Sequence, residues 1–157
     1  MAKGAVMLTD EQAAFWQRFC DATSHRGQPL DCDSFGGPDI ADELLMLVLS
    51  GRKRATCSNA CWVKKGFMPM PRRGGLAIVT DAANNPACVI RTEKVTIKPF
   101  RDVTVAFAWR EGEGSRMLSD WKRGHRHFFH REALENGFAF RETDLCIFEE
   151  FTMIWQP

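Results

Sequence analysis

The chain lacks an apolar run long enough for a bilayer. Its longest, Leu44 to Leu49, falls far short of the roughly 20 residues a spanning helix needs. The opening Met1-Ala-Lys-Gly-Ala-Val-Met-Leu is too short for the apolar stretch of a secretory leader. These absences speak against a membrane role and lead us to expect a cytoplasmic protein. Net charge is only +1, so no global field gathers nucleic acid, and any anion site must be local. There is no C-x-x-C pair. Cys20, Cys32, Cys57, Cys61, Cys88 and Cys146 are scattered without a disulfide framework and read as reduced, mostly buried thiols. Cys57 and Cys61 with His125, His127 and His130 would in principle supply zinc ligands, but no second close cysteine pair completes the usual pattern. No dense Asp/Glu cluster suggests a two-metal nuclease. We therefore expect neither metal nor cofactor. Internal repeats, low-complexity stretches and linkers are also missing, which leaves one domain of 157 residues, large enough for a real core.

What is present is an ordinary soluble composition, 45% hydrophobic and 26% charged, in alternating helices and short strands. Thr9-Asp10-Glu11-Gln12 reads as a capping box that opens a helix with Phe15 and Phe19 on one face. A polar loop follows from Asp21. Pro38 suits the first position of a second helix, with Ile40, Leu44, Leu47 and Val48 as its apolar stripe. Gly51 ends it. A short strand is expected from Arg54 to Ser58, then an irregular excursion over residues 59–75. Leu76 to Thr80 reads as a buried strand, and Asn84-Asn85-Pro86 turns the chain into an antiparallel return as far as Lys98. The imperfect alternation of Val89, Arg91, Glu93, Val95 and Ile97 points to a barrel or a bulge. Val105 to Arg110 reads as a short helix, broken by Glu111-Gly112-Glu113-Gly114. A longer helix runs from Leu118 to about Asn136, with Trp121, His125, Phe128, Phe129 and Leu134 to one side. Leu145 to Trp155 is the last strand. Three or four short strands among helices make an α+β fold, a small curved sheet or open barrel flanked by helices.

Two stretches carry candidate chemistry. Ser50-Gly51-Arg52-Lys53-Arg54-Ala55-Thr56 puts an amine and a hydroxyl three positions apart at a helix-to-strand turn. A lysine between two arginines has reason to shed its proton more easily, which makes Lys53 a candidate base or electrostatic clamp and Thr56 a candidate nucleophile. The plainer alternative is a basic turn at a helix C-terminus. The second stretch, Glu111 to Arg116, offers a carboxylate in a glycine-rich bend that could meet Lys53, or simply a solvated acidic loop. Glu149 has apolar face-mates, so it should point inward and need a cation or donors, with Lys53, Arg54 and Arg91 as candidates. That would be a structural or a functional ion pair. Trp62, Trp109 and Trp121 could stack a base or fill the core.

These residues resemble the ASCH domain family, which is related in fold to the PUA RNA-binding domain. The likeness runs from about Phe35 to Trp155. It rests on Phe35-Gly36, Ala41 to Leu45, the G-[KR]-K-x-x-T element at Gly51 to Thr56, Glu111 to Gly114, Trp121, His125, Phe128-Phe129 and Glu149-Glu150-Phe151. It implies a PUA-like small β-barrel over residues 31–157, with residues 1–30 as an N-terminal helix packed on it. It also implies a cleft for RNA or a modified nucleoside, with Lys53, Thr56 and Glu113 as catalytic residues and Glu111 as the alternative acid. Arg52, Arg54, Glu111, His125 and His130 would be substrate-binding. The expected activity is metal-independent, ribonuclease-type hydrolysis. The alternatives are amide hydrolysis of an acylated cytidine nucleoside, or RNA binding without catalysis.

Overall fold

A computed structural model describes residues 5–157. Residues 1–4, the start of the stretch read above for a leader, lie outside the described residues. Helix α1 spans Asp10–Thr23, and its Thr9/Gln12 capping box forms as expected. Next come β1 (Asp31–Asp33), α2 (Ala41–Leu49), β2 (Ala55–Asn59), α3 (Cys61–Lys64), β3 (Leu76–Thr80) and β4 (Pro86–Pro99). A single 3₁₀ turn leads to α4 (Val105–Glu111), α5 (Leu118–Glu135) and β5 (Leu145–Trp155).

The strands form one curled half-barrel sheet, ordered β1-β3-β4-β5-β2. Among the described residues only β1 pairs parallel, with β3. The long strands β4 and β5 form its spine, and β4 slips register near Val89/Ile90 and Thr92/Lys94. Those irregularities explain the imperfect alternation in the sequence, since a bulge re-aims the side chains that follow it. Three clusters hold the layers. Phe15, Trp16 and Phe19 of α1 pack on Ile78 and Val89. Leu45 and Val48 of α2 pack on Val79, Ile90 and Phe151 from the other face. Phe107, Trp121 and Phe129 bring α4 and α5 onto Phe100, Phe140 and Phe148.

Some expectations need correction. Pro38 lies in a turn before α2, which begins at Ala41, so it is not the first helical residue. The excursion over residues 59–75 contains the short helix α3. Leu134 is 81% exposed, and Ala133 faces the core instead. Five strands form among the described residues rather than three or four. Strand β1 escaped notice because Asp-Cys-Asp carries neither length nor apolar alternation, and its pairing with β3 alone defines it.

Candidate functional site

Lys53 lies in the short connection between α2 and β2. Its N–H donates to Leu47 O at the helix end, and Arg54 is fixed on both sides, by Arg110 O and by the Phe151 N–H. The Lys53 side chain therefore turns inward and is 1% exposed. Its Nζ donates to Ala55 O at 2.8 Å and to Glu113 Oε1 at 2.7 Å. Glu111 Oε1 lies 3.6 Å away. The Phe35 ring centroid sits 5.1 Å from Nζ, a favourable face for a cation.

The two carboxylates come from the end of α4. Glu111 is its last residue, and Gly112 caps it at φ 75°. Glycine is needed there twice over. The backbone is left-handed, and a Cβ would lie 2.2 Å from Arg52 O. Arg52 then fastens the bend, donating from Nε to Gly112 O and from Nη2 to Gly114 O, both at 2.7 Å.

Glu111 is buried, and each of its oxygens is held. Trp121 Nε1–H donates to Oε2 at 2.5 Å, and His125 Nε2 lies 2.8 Å from Oε1. His125 Nδ1 lies 3.0 Å from Trp121 O, and the two rings stack 3.9 Å apart. Both imidazole nitrogens thus face oxygen acceptors, which only the doubly protonated ring satisfies. Burial alone would push the Glu111 carboxyl up; the charges of His125 and Lys53 and the hydrogen bonds from His125 and Trp121 reverse this and hold it at about 2. For His125, burial works against protonation, but the Glu111 charge and hydrogen bond outweigh it and raise the pKa above 6.5. Two anions and two cations therefore balance in one cluster.

This cluster forms part of the wall of a cavity of about 630 Å³, within the range of small-molecule sites. Phe35, Leu44, Trp62 and Phe128 supply apolar wall, and Thr56, Ser58 and Glu149 add polar groups. Thr56 and Glu149 are direct partners across β2 and β5, so their side chains share a face. Glu149 accepts from Thr92 Oγ1 at 2.6 Å and has no salt bridge among the described residues. Burial raises its pKa, the Thr92 bond opposes this, and nearby Asp31 adds to the rise.

The structure brings Lys53, Thr56, Glu111, Glu113 and His125 to one cavity. It does not bring Arg52, Arg54 or His130 there. Arg52 is spent on the bend, Arg54 lies outside over Trp109, and His130 is exposed against Phe140. The near neighbours of the Lys53 ammonium are the carboxylates of Glu111 and Glu113. Glu149 meets Thr92, not a cation. Sequence reasoning missed the Glu111-Trp121-His125 triad as a unit. The signal was the i, i+4 spacing of Trp121 and His125, which stacks them on one face of α5. It also missed that Glu111, Glu113 and His125 present ligand atoms within 4.8 Å of one another. Such a set could hold a divalent ion, and here Lys53 supplies positive charge against both carboxylates.

The ASCH domain family model matches residues 31–155. The chain belongs to the ASCH domain family. It is similar to the crystal structure of an ASCH domain from Lactobacillus crispatus JV V101, with 30% identity, 97% of each chain covered and a TM-score of 0.83. A crystal structure of a protein from Enterococcus faecalis V583 is 32% identical over 90% of this chain and 86% of that one, with a TM-score of 0.81. No curated protein matches. Among the described residues of this ASCH protein, no helix is long and apolar enough to cross a membrane.

Proposed function

We infer that this ASCH protein is an RNA- or nucleotide-directed hydrolase of ribonuclease type, run by Lys53 and Glu113. One observation carries the reading: a lysine ammonium and a carboxylate 2.7 Å apart in the wall of a nucleoside-sized cavity. Glu113 takes the proton of a substrate 2′-hydroxyl as that oxygen attacks phosphorus. Lys53 offsets the charge that builds on the phosphoryl oxygens. The bond from phosphorus to the 5′-oxygen breaks, and a Lys53 proton passes to the leaving oxygen. The Glu113–Lys53 hydrogen bond then returns the first proton to the amine, so the pair ends as it began. The product is a 2′,3′-cyclic phosphate. Glu111 and His125 are positioning residues that hold this charge arrangement in place. Lys53 serves in this reading as clamp and acid, with Glu111 and Glu113 beside it.

A second reading has its own support, because Thr56 shares the cavity with Lys53. There the Thr56 oxygen attacks the amide carbonyl of an acylated cytidine, its proton passing through Glu113 to the leaving N4 as the C–N bond breaks, and water then hydrolyses the acyl-threonine ester. One experiment separates the two: parent and Lys53→Met proteins, with chelator present, against an RNA oligomer and against N4-acetylcytidine. Cyclic phosphate from RNA that disappears in the variant supports the first reading. Deacetylation alone supports the second. RNA cleavage of equal rate in both proteins belongs to a contaminating nuclease and overturns the first. Turnover abolished by chelator turns attention to Glu111, Glu113 and His125 as metal ligands.

A further inference from the structure

Lys53 points into the cavity, and its neighbours Arg52 and Arg54 emerge on the outside of the same segment. There Arg54 meets Trp109 of α4, whose side chain is 51% exposed. The Arg116 guanidinium lies 3.8 Å from the indole centroid, and that of Arg54 lies 5.8 Å from it. Arg116 is locked in this pose. Its Nε donates to Trp109 O at 2.8 Å and its Nη2 to Arg52 O at 3.2 Å. Its backbone is left-handed, with φ 65°, a conformation that costs energy for any side chain but glycine. Arg110, also exposed, follows Trp109 in α4 and pairs with Glu150 at 3.1 Å, whereas Arg52, Arg54 and Arg116 have no carboxylate partner among the described residues.

The like charges of Arg52, Arg54 and Arg116 beside the exposed indole repel one another. A ligand that brings alternating phosphates and flat rings relieves this, because guanidinium forks grip phosphate and bases stack on aromatic or guanidinium planes. The patch also begins where the cavity ends. Gly114 and Ser115 line the cavity, Arg52 binds Gly114 O, and Arg116 is the next residue along.

We propose that this outer face carries the strand of an RNA substrate beyond the nucleotide held in the cavity, with Arg54 and Arg116 on its phosphates and the Arg116–Trp109 stack under the neighbouring base. The proposal rests on the reading of the cavity as a nucleotide site, and it makes the substrate a polymer rather than a free nucleoside.

The test is binding without turnover. A ten-nucleotide RNA with 2′-fluoro sugars is titrated by fluorescence anisotropy, and cytidine monophosphate by calorimetry. The parent should bind the decamer at least about tenfold more tightly than the mononucleotide, given the usual worth of one stacked base and its phosphates. Trp109→Ala and Arg54→Ala should each remove most of that advantage and leave mononucleotide affinity unchanged. Arg54→Ala should also lower the salt slope by about one. Equal affinity for decamer and mononucleotide overturns the proposal, as does a decamer bound equally by parent and both variants. Displacement by polyglutamate at equal charge concentration also overturns it, since charge alone would then be read. If the decamer binds as expected but RNA is never cleaved, the face stands and the hydrolase reading falls. If cleavage occurs with no length-dependent binding, the reverse holds.

Discussion

Replacing Gly112 by alanine probes how the site is assembled, and Gly114→Ala is its internal control. Both glycines are left-handed, at φ 75° and 53°. Forcing an alanine into that region costs about 1–2 kcal/mol at either position. They differ in what surrounds them. A Cβ at Gly114 meets nothing within 4 Å, whereas one at Gly112 lands 2.2 Å from Arg52 O, 2.7 Å from its carbonyl carbon and 3.0 Å from Lys53 N. Those neighbours are backbone, so the bend itself must move, which adds about 1–3 kcal/mol as overpacking does elsewhere. Gly114→Ala should therefore lose about 1–2 kcal/mol and Gly112→Ala about 2–5 kcal/mol. For a chain of this size each kcal/mol lowers Tm by about 2–4 °C. Urea unfolding with unchanged slope is the assay, and turnover should fall further in Gly112→Ala, because the bend carries Glu111 and Glu113 past Lys53. Equal stability loss in the two variants would refute the close-approach argument.

The Glu111–His125 pair sets a pH window. Glu111 is lowered from 4.5, so its contribution is present above that value and lost as pH falls toward about 2; His125 is raised from 6.5, so its contribution is full below 6.5 and lost as pH climbs through the raised value. Urea melts against pH should show the acid limb flattened in Glu111→Gln and the alkaline limb flattened in His125→Gln. An acid limb unchanged in Glu111→Gln contradicts the assignment. Lys53→Met strands two carboxylates beside one imidazolium and should cost about 3–5 kcal/mol, as breaking a buried ion pair does. The same variant should recover stability with zinc while the parent gains less, checked by thermal shift. Cys88, fully buried with its thiol pushed up to about 12, should react with a thiol reagent only as the protein unfolds.

Much of the frame was legible because it is written in local pattern. The Thr9 capping box, the apolar run of β3 and the Asn84-Asn85-Pro86 turn each declare themselves within a few residues. That the bend at Glu111 to Gly114 could meet Lys53 was one of two readings of the residues, and kinship alone singled out Glu113, since 60 positions separate it from Lys53. The fates of Arg52 and Arg54 were not legible at all. An arginine beside a lysine looks like a partner for the same ligand, yet alternation along extended backbone sends neighbours to opposite sides. The contact of Gly112 with the Arg52 backbone was hidden for the same reason: sequence shows a glycine that can break a helix, not the chain that passes against it. Glu149 was correctly read as inward, but its partner Thr92 depends on the slip in β4 register, which no periodicity reveals.

The claim that Lys53 and Glu113 act as one proton-exchanging unit is tested most directly by a kinetic double-mutant cycle on a single RNA substrate. Lys53→Met, Glu113→Gln and the double variant are compared at equal folded fraction. Each single change should lower kcat by about 10²–10⁴-fold, and the double should lose no more than the worse single. Losses that multiply, or a single variant that keeps the parent rate, would contradict the account.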